Sequence, residues 1–183
     1  PNSVVGISIG AVNGYLIAKG ATAQEMRTAW LELPAELQER PEARPGRFPW
    51  RDVPLFKIWL TNVFEQFSGL PWSCNFQLVC ARLPTLTVST FDHDEVTLDH
   101  LLAACALPGM MPAVRVNGHS YIDNGVVYPV PLCEARATGA AEIVVVDLLA
   151  RPPIPLVRPL RKILMWPKLR GPAVSQEGQR VIK

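Results

Sequence analysis

The stretch that decides the fold is residues 4–13, which read Val-Val-Gly-Ile-Ser-Ile-Gly-Ala-Val-Asn. An apolar run leads up to Ser8, and a run that can form a helix follows it. A serine flanked by Gly6 and Gly10 in this setting is the pattern of a nucleophile elbow, a sharp strand-to-helix turn that presents a hydroxyl. We expect both glycines to be needed because a Cβ at either position would collide with the neighbouring strand or helix.

The chemistry of such a turn depends on the helix that begins beyond it. The first N–H groups of a helix have no intrahelical acceptor, so they stabilise negative charge that develops nearby. The backbone N–H of Ile9 is therefore the expected first donor of an oxyanion hole. Five residues alone are equally consistent with a capping serine in an ordinary turn, but the small and apolar residues at 11–18 favour the elbow.

Composition excludes several classes of protein. The chain has 183 residues, of which 49% are hydrophobic and 19% charged, so it is expected to form one well-packed domain rather than a disordered segment. A net charge of +2 does not indicate a nucleic-acid partner. No apolar run reaches the length of a membrane span.

Neither the cysteines nor the histidines have the spacing of a metal site, so no metal is predicted. The cysteines are interpreted as free, buried thiols in a reducing compartment, which favours a cytoplasmic location. The residues concerned are Cys74, Cys80, Cys105, Cys133, His93, His100 and His119.

Helical and strand-like patterns follow one another along the rest of the chain. A capping box at Thr22 to Glu25 begins a helix, and Asn117-Gly118 is a strong signal for a tight hairpin. The β-branched run at 142–148 does not alternate, which predicts a strand buried on both faces, as in a parallel sheet. Strands are predicted over 4–7, 76–82, 86–90, 114–116, 119–122 and 142–148, and helices over 10–19, 55–67, 97–106 and 131–138.

The predicted organisation is a hydrolase-like domain over 1–150 and a tail over 151–183. Inside the domain, residues 41–75 combine a Pro-rich loop with an aromatic-rich helix at 55–67. That helix either packs into the core or forms a lid that faces lipid. In the tail, Leu160–Trp166 mixes basic and apolar residues, which fits either a docked helix or one that contacts a membrane surface.

A serine needs a base to take its proton, and the best candidate is Asp123. This residue follows a predicted strand, and the next two residues, Asn124 and Gly125, tolerate a left-handed backbone. An acid at the end of a strand in an α/β sheet is well placed for chemistry. A turn aspartate that bonds to its own backbone is the alternative.

Three blocks in order resemble the patatin-like phospholipases, a family of Ser–Asp acyl hydrolases. The first is the elbow at 6–13. The second is Ala-Cys-Ala-Leu-Pro-Gly-Met-Met-Pro at 104–112, like the family's small-residue helix that ends in proline. The third is Asp-Asn-Gly-Val-Val at 123–127, followed by the helix and strand that extend to residue 148.

The resemblance implies an α/β fold, a three-layer sandwich with a mostly parallel central sheet and a serine nucleophile elbow. It also implies that Ser8 is the nucleophile and Asp123 the base of a dyad that works through an acyl-enzyme. Asn124 and Gly125 would form the active-site loop. A lipid or small ester would be the substrate, and no cofactor would be required.

The chain departs from the family pattern in several places. Asn124 stands where the family has glycine, and Pro129 stands where it often has asparagine. No glycine-rich strand and turn precedes Gly6 to complete the oxyanion hole. We therefore expect an N-terminally incomplete member, with little activity in residues 1–183 alone and esterase activity in a longer parent; one missing donor costs about 3–4 kcal/mol at the transition state.

Two other functions fit the sequence. A Ser-His-Asp hydrolase would take Asp92 or Asp94 as the acid and His100 or His119 as the base, which satisfies the chain order of such triads. A non-catalytic module that binds lipid or a protein partner would keep the fold without the chemistry. The retained Ser8 and Asp123 argue against this last interpretation.

Overall fold

The computed structural model describes residues 1–38, 53–147 and 179–182. Its mixture of helices and strands confirms the predicted α/β class. The helices are α1 (Ile9–Ala18), α2 (Ala23–Leu31), α3 (Ala35–Gln38), α4 (Val53–Ser68), α5 (Leu98–Ala104) and α6 (Leu132–Ala137). The strands are β1 (Ser3–Ile7), β2 (Asn75–Arg82), β3 (Thr87–Asp92), β4 (Val114–Val116), β5 (His119–Asp123), β6 (Ile143–Val146) and β7 (Gln179–Ile182).

Five of the described strands form one sheet, and its pairings are mostly antiparallel. Only β1 and β2 run in parallel, while β2–β3, β2–β5 and β4–β5 are antiparallel. The prediction of a mostly parallel central sheet is therefore wrong for this sheet. The physical reason is that short turns join β2 to β3 and β4 to β5, and a short turn connects antiparallel strands only. The separate pair of β6 and β7 is parallel.

The pairing of β2 determines where two other strands end. β3 pairs with Gln77 to Arg82 along one edge of β2. On the other edge, β1 is aligned with the first part of β2, up to Val79, and β5 with the last part, from Cys80. Because β1 is parallel to β2 and β5 is antiparallel to it, the carboxyl ends of β1 and β5 meet on the same edge.

Two local signals in the sequence are confirmed. Thr22 accepts a hydrogen bond from the Glu25 N–H while the Glu25 carboxylate accepts one from the Thr22 N–H, which is the predicted capping box. Asn117 and Gly118 both have positive φ, 49° and 80°, as a two-residue hairpin turn between β4 and β5 requires.

The core lies between the sheet and helices α1, α4 and α5. Alternate residues of β2 (Phe76, Leu78 and Cys80) belong to one buried cluster with apolar residues of these helices. The aromatic-rich helix predicted at 55–67 corresponds to α4, which buries Trp59, Leu60, Val63 and Phe67 in the same cluster. These contacts support the core-packing interpretation of this helix.

Two predictions of burial are wrong. Val144 and Val146 on β6 are 53% and 69% exposed, so one face of this strand is not covered by the described residues. Cys133 is exposed and Cys74 only partly buried, whereas Cys80 and Cys105 are buried as predicted. All four are free thiols in the structure.

The predicted lid loop and the predicted membrane-contacting segment depend on residues that the structure does not describe. Most of the Pro-rich loop at 41–54 and the basic segment Leu160–Trp166 lie outside the described residues, so the lid and the membrane contact remain predictions. Within the described ranges, no helix combines the length and the apolar character that a membrane crossing requires.

A buried lysine joins the C-terminal ends of α1 and α4. Lys19 is 7% exposed, and its Nζ donates hydrogen bonds to the carbonyl oxygens of Ser68 at 3.1 Å and Leu70 at 2.7 Å. The same ammonium lies 4.0 Å from the ring centroid of Trp72. Carbonyls at a helix C-terminus have no intrahelical donor, so the lysine satisfies groups that the fold would otherwise leave unpaired.

We expect Lys19→Met to lower the free energy of unfolding by about 1–3 kcal/mol, because two partly buried hydrogen bonds to backbone carbonyls are lost while the apolar stem remains. Urea denaturation measures this loss. The control is Lys57→Met at an exposed position of α4, where a surface substitution changes stability by less than about 0.5 kcal/mol. Equal losses in the two variants would contradict the proposed role of Lys19.

Candidate active site

The turn from β1 into α1 takes place at a single residue. β1 ends at Ile7, α1 begins at Ile9, and Ser8 between them has φ 53° and ψ −138°. A positive φ is uncommon for a residue that carries a Cβ, and backbone strain of this kind costs about 1–3 kcal/mol. Such strain is found mainly at functional sites, so Ser8 is a candidate on backbone geometry alone.

The close crossing of strand and helix explains one of the two glycines. A Cβ at Gly6 would lie 2.5 Å from the Cα of Ala11 and 2.9 Å from the carbonyl oxygen of Gly10. Both are backbone atoms, which cannot move aside without moving α1. At Gly10 a Cβ would meet nothing within 4 Å. The prediction is therefore correct for Gly6 and wrong for Gly10, because Gly10 faces open space beside the first turn of α1.

The amide groups at the start of α1 are available for an anion. Ile9 is the first residue of the helix, and Ala11 N–H donates back to the carbonyl oxygen of Ser8 at 2.9 Å. The N–H groups of Ile9 and Gly10 belong to the first helical turn, where the helix offers no acceptor. The two residues directly after Ser8 therefore each carry a backbone donor without a helical acceptor.

Asp123 is the last residue of β5 and is 2% exposed. Its N–H donates to the carbonyl oxygen of Ala106, just beyond α5, at 3.0 Å. A 3-10 turn over Asn124–Val126 follows directly, and the Asp123 side chain caps this turn. The acid is thus held by the strand before it, by the turn after it and by the segment that leaves α5.

Ser8 and Asp123 are in direct contact although 115 positions separate them in the chain. The Ser8 Oγ donates a hydrogen bond to Asp123 Oδ2 at 2.5 Å. The other carboxylate oxygen, Oδ1, accepts from the N–H of Gly125 at 2.7 Å. The meeting of β1 and β5 on one edge of β2 brings the two residues together. Among the described candidates for nucleophile and base, Ser8 and Asp123 are the two that share a hydrogen bond.

Burial determines the basicity of this carboxylate. Burial raises the pKa of the Asp123 carboxyl above its usual value, because a charge is less stable away from water. The hydrogen bonds from Ser8 and Gly125 stabilise the ionised form and oppose the rise in this pKa. The net result is an aspartate that holds a proton more firmly than an exposed one does.

Asn124 and Gly125 contribute differently from the sequence prediction. Neither is among the residues with positive φ, so the predicted left-handed backbone at this turn is wrong; a 3-10 turn forms in its place. Gly125 supplies space, since a Cβ there would lie 3.0 Å from Asp123 Oδ1. Asn124 is fully buried, and its Nδ2 donates to the carbonyl oxygen of Tyr128 at 3.1 Å.

The asparagine at the end of the elbow motif has a structural contact. Asn13 Oδ1 accepts a hydrogen bond from the indole Nε1 of Trp30 at 2.8 Å, which ties α1 to α2. Trp30 in turn packs against Trp59 of α4, with ring centroids 4.8 Å apart. Asn13 therefore supports the helix that begins at the candidate nucleophile.

The two candidate histidines contact residues other than Ser8 and Asp123. His100 is buried in α5, where its Nδ1 accepts the Thr97 N–H at 3.2 Å, so it helps to cap the helix. Burial lowers the pKa of His100, which favours the neutral form of the ring. His119 contacts the Arg82 guanidinium at 2.8 Å. Among the hydrogen bonds of the described residues, neither ring is bonded to Ser8.

The two candidate acids of the triad also lie apart from Ser8. Asp92 Oδ1 accepts a hydrogen bond from Gln77 Nε2 at 2.8 Å, and Asp94 lies on the surface 3.3 Å from His93 Nε2. In the described part of the chain, no group of three or more His, Cys, Asp or Glu side chains could hold a metal ion. The geometry therefore favours the Ser8–Asp123 pair over the triad.

A comparison with protein families supports the same region. The family model described as patatin-like phospholipase matches residues 74–136. This match supports an assignment to the patatin-like phospholipase family. The matched residues include β2, α5 and Asp123, while Ser8 precedes them. The name of the matched family suggests lipid acyl hydrolase activity.

Sequence reasoning missed one neighbour of the candidate site. Cys80 pairs with Asp123 across β2 and β5, so the two side chains lie on the same face of the sheet. The apolar run at 76–82 shows a buried strand, but it does not show which residue of that strand adjoins the acid. That information comes from the register of pairing between residues about forty positions apart.

We expect Gly6→Ala to lower the free energy of unfolding by about 1–3 kcal/mol, because the added Cβ overpacks two backbone segments. The matched variant Gly10→Ala should be neutral or stabilising by up to about 1 kcal/mol, since alanine favours the helix and has room there. Thermal unfolding of the two variants beside the unchanged protein checks both. A stable Gly6→Ala variant would disprove the close crossing of β1 and α1.

Proposed function

We propose that this protein is a serine acyl-ester hydrolase of the phospholipase type that uses a Ser8–Asp123 dyad. The observation that carries the proposal is the hydrogen bond from the Ser8 hydroxyl to a buried aspartate. A hydroxyl becomes an effective nucleophile when an adjacent base accepts its proton. The strained backbone at Ser8 and the helix N-terminus beside it add support that an ordinary capping serine would lack.

The first half of the reaction forms an acyl-enzyme. Asp123 Oδ2 accepts the Ser8 proton as the Ser8 Oγ attacks the ester carbonyl carbon. The tetrahedral oxyanion is stabilised by the N–H of Ile9, with the Gly10 N–H next to it. Collapse of this intermediate breaks the ester C–O bond, and the leaving alcohol takes the proton back from Asp123. Ser8 then carries the acyl group.

The second half regenerates the serine. With the proton gone, Asp123 is again a carboxylate and activates a water molecule, which attacks the acyl carbonyl carbon. The same amide donors stabilise the second oxyanion. Ser8 leaves with the proton that Asp123 took from water, and the carboxylic acid is released. Burial matters in both halves, because it makes Asp123 a better base than an exposed aspartate.

We propose that the turn at Ser8 is a nucleophile elbow and that the domain is a three-layer sandwich. A second small buried cluster joins Ala81 of β2 and Ile122 of β5 to Val127, which follows the 3-10 turn. Ala81 and Ile122 alternate with Cys80 and Asp123 along their strands, so this cluster supports packing on both faces of the sheet. The acyl chain would lie near Gly10, where the site is open.

We expect Ser8→Ala and Asp123→Asn each to lower hydrolysis of p-nitrophenyl butyrate by about a thousandfold or more in the natural protein that contains these residues. The control is His119→Ala, which should leave the rate unchanged because His119 contacts Arg82. A fluorophosphonate probe should label the unchanged protein and not Ser8→Ala. No labelling of the unchanged protein would favour the non-catalytic module, and loss of activity in His119→Ala would favour a triad.

The buried acid also predicts a dependence of stability on pH. The pKa of Asp123 is raised above 3.8 in the folded protein, so between the unfolded and folded pKa values the folded state binds more protons. The free energy of unfolding therefore falls as pH rises through this interval. Asp123→Asn removes this loss, so its stability relative to the unchanged protein should increase across the interval and stay constant above it.

Chemical denaturation in about ten buffers between pH 3.5 and pH 8 measures this difference in stability. Glu65→Gln, at an exposed carboxylate of α4, is the control and should show no such trend. A stability difference between Asp123→Asn and the unchanged protein that falls with rising pH would contradict the raised pKa of Asp123.

A further inference from the structure

The face of the Asp123 carboxylate next to β2 is covered by a thiol. Cys80 is the cross-strand partner of Asp123, and partners in an antiparallel pair have Cβ atoms about 5 Å apart on the same face of the sheet. Cys80 is fully buried, and it packs in the cluster that α1, α4 and α5 form with β2. The candidate base therefore has a fully buried sulfur as its nearest neighbour across the sheet.

The contact made by this thiol directs its proton away from the acid. The Cys80 Sγ donates to the carbonyl oxygen of His100 on α5 at 4.0 Å. A thiol is a weak donor, and here its hydrogen is directed to a backbone carbonyl. Cys80 thus excludes water from one side of the carboxylate without giving it a hydrogen bond.

A second buried thiol lies close by. Cys105 ends α5 and precedes Ala106, whose carbonyl oxygen accepts the Asp123 N–H. Burial raises the pKa of both thiols, Cys105 and Cys80, and the charge of Asp123 raises it further, which agrees with their being neighbours of Asp123. Ser8 and Gly125 approach the carboxylate from the other elements, each with one strong donor.

We propose that Cys80, with Cys105 beside it, is a positioning residue that keeps Asp123 a strong base by covering it with weak hydrogen-bond donors. The inference rests on the proposed function, because it assigns a role in the reaction to residues that do not touch the substrate. A third strong hydrogen bond to the carboxylate would stabilise its ionised form and lower its pKa, so it would take the Ser8 proton less readily.

The test compares Cys80→Ser with Cys80→Ala. Serine has nearly the shape of cysteine, but its hydroxyl is a strong donor that can turn to Asp123. In the natural protein that contains these residues, we expect Cys80→Ser to lower kcat/KM for p-nitrophenyl butyrate roughly tenfold at the pH where the rate is highest, the effect of one hydrogen bond to a charged group. The acid limb of its pH profile should also move to lower pH. Cys80→Ala adds no donor and should retain the acid limb of the unchanged protein.

A second measurement does not depend on catalysis. The ¹³C resonance of the Asp123 carboxyl group, assigned with Asp123→Asn, reports its titration directly. The midpoint should fall in Cys80→Ser and remain in place in Cys80→Ala. Hydrolysis that persists in Ser8→Ala would contradict the proposed function. The carboxyl titration would still test the effect of Cys80 on Asp123, because it does not depend on hydrolysis.

An acid limb and a carboxyl titration in Cys80→Ser that match those of the unchanged protein would exclude the role of the thiol. Equal shifts in the serine and alanine variants would show a packing effect rather than a donor effect and would also overturn it. If Cys80→Ser does not fold, Cys105→Ser and Cys105→Ala carry the same comparison, with the same expected direction and the same contradicting results.

Discussion

The constraint on which the candidate site depends is the shared edge of β2. β1 approaches along this edge in parallel and β5 in the opposite direction, so the carboxyl ends of the two strands face each other where Val79 gives way to Cys80. A strand that ends in mid-sheet leaves its next residue free to turn. The chain turns into α1 directly after Ser8, and it turns into a 3-10 turn directly after Asp123. The contact between hydroxyl and carboxylate is a consequence of this pairing.

The same arrangement places two unfavourable features together. Ser8 has a backbone conformation that a residue with a Cβ rarely adopts, and Asp123 is a carboxyl group with little access to water. The surroundings hold both in place. Gly6 allows β1 and α1 to cross closely, and Asn13 ties α1 to Trp30. Proteins commonly tolerate strain and buried charge where a reaction needs them.

The sequence was sufficient for features that depend on neighbouring residues. The capping box at Thr22, the hairpin turn at Asn117 and the strand-to-helix turn at Ser8 each reflect interactions within a few positions, and a local pattern can encode them. The direction of β5 and the register of Cys80 depend on pairing between distant segments. The β-branched run in β6 likewise indicated a strand but not whether anything covers both of its faces. Local patterns carry no information of this kind, and the prediction of a mostly parallel sheet failed for that reason.

The positions of the histidines show why chain order alone is a poor guide to a catalytic group. His100 follows Asp92 and Asp94 in an order that fits a triad, yet its ring accepts the N–H of Thr97 and begins a helix. A ring nitrogen that accepts a capping hydrogen bond is not free to accept a proton from a serine. Asp123 has the opposite arrangement, because both of its oxygens are directed by short contacts and one of them receives the Ser8 hydroxyl. The difference between a capping residue and a candidate base therefore lies in which donor reaches the side chain.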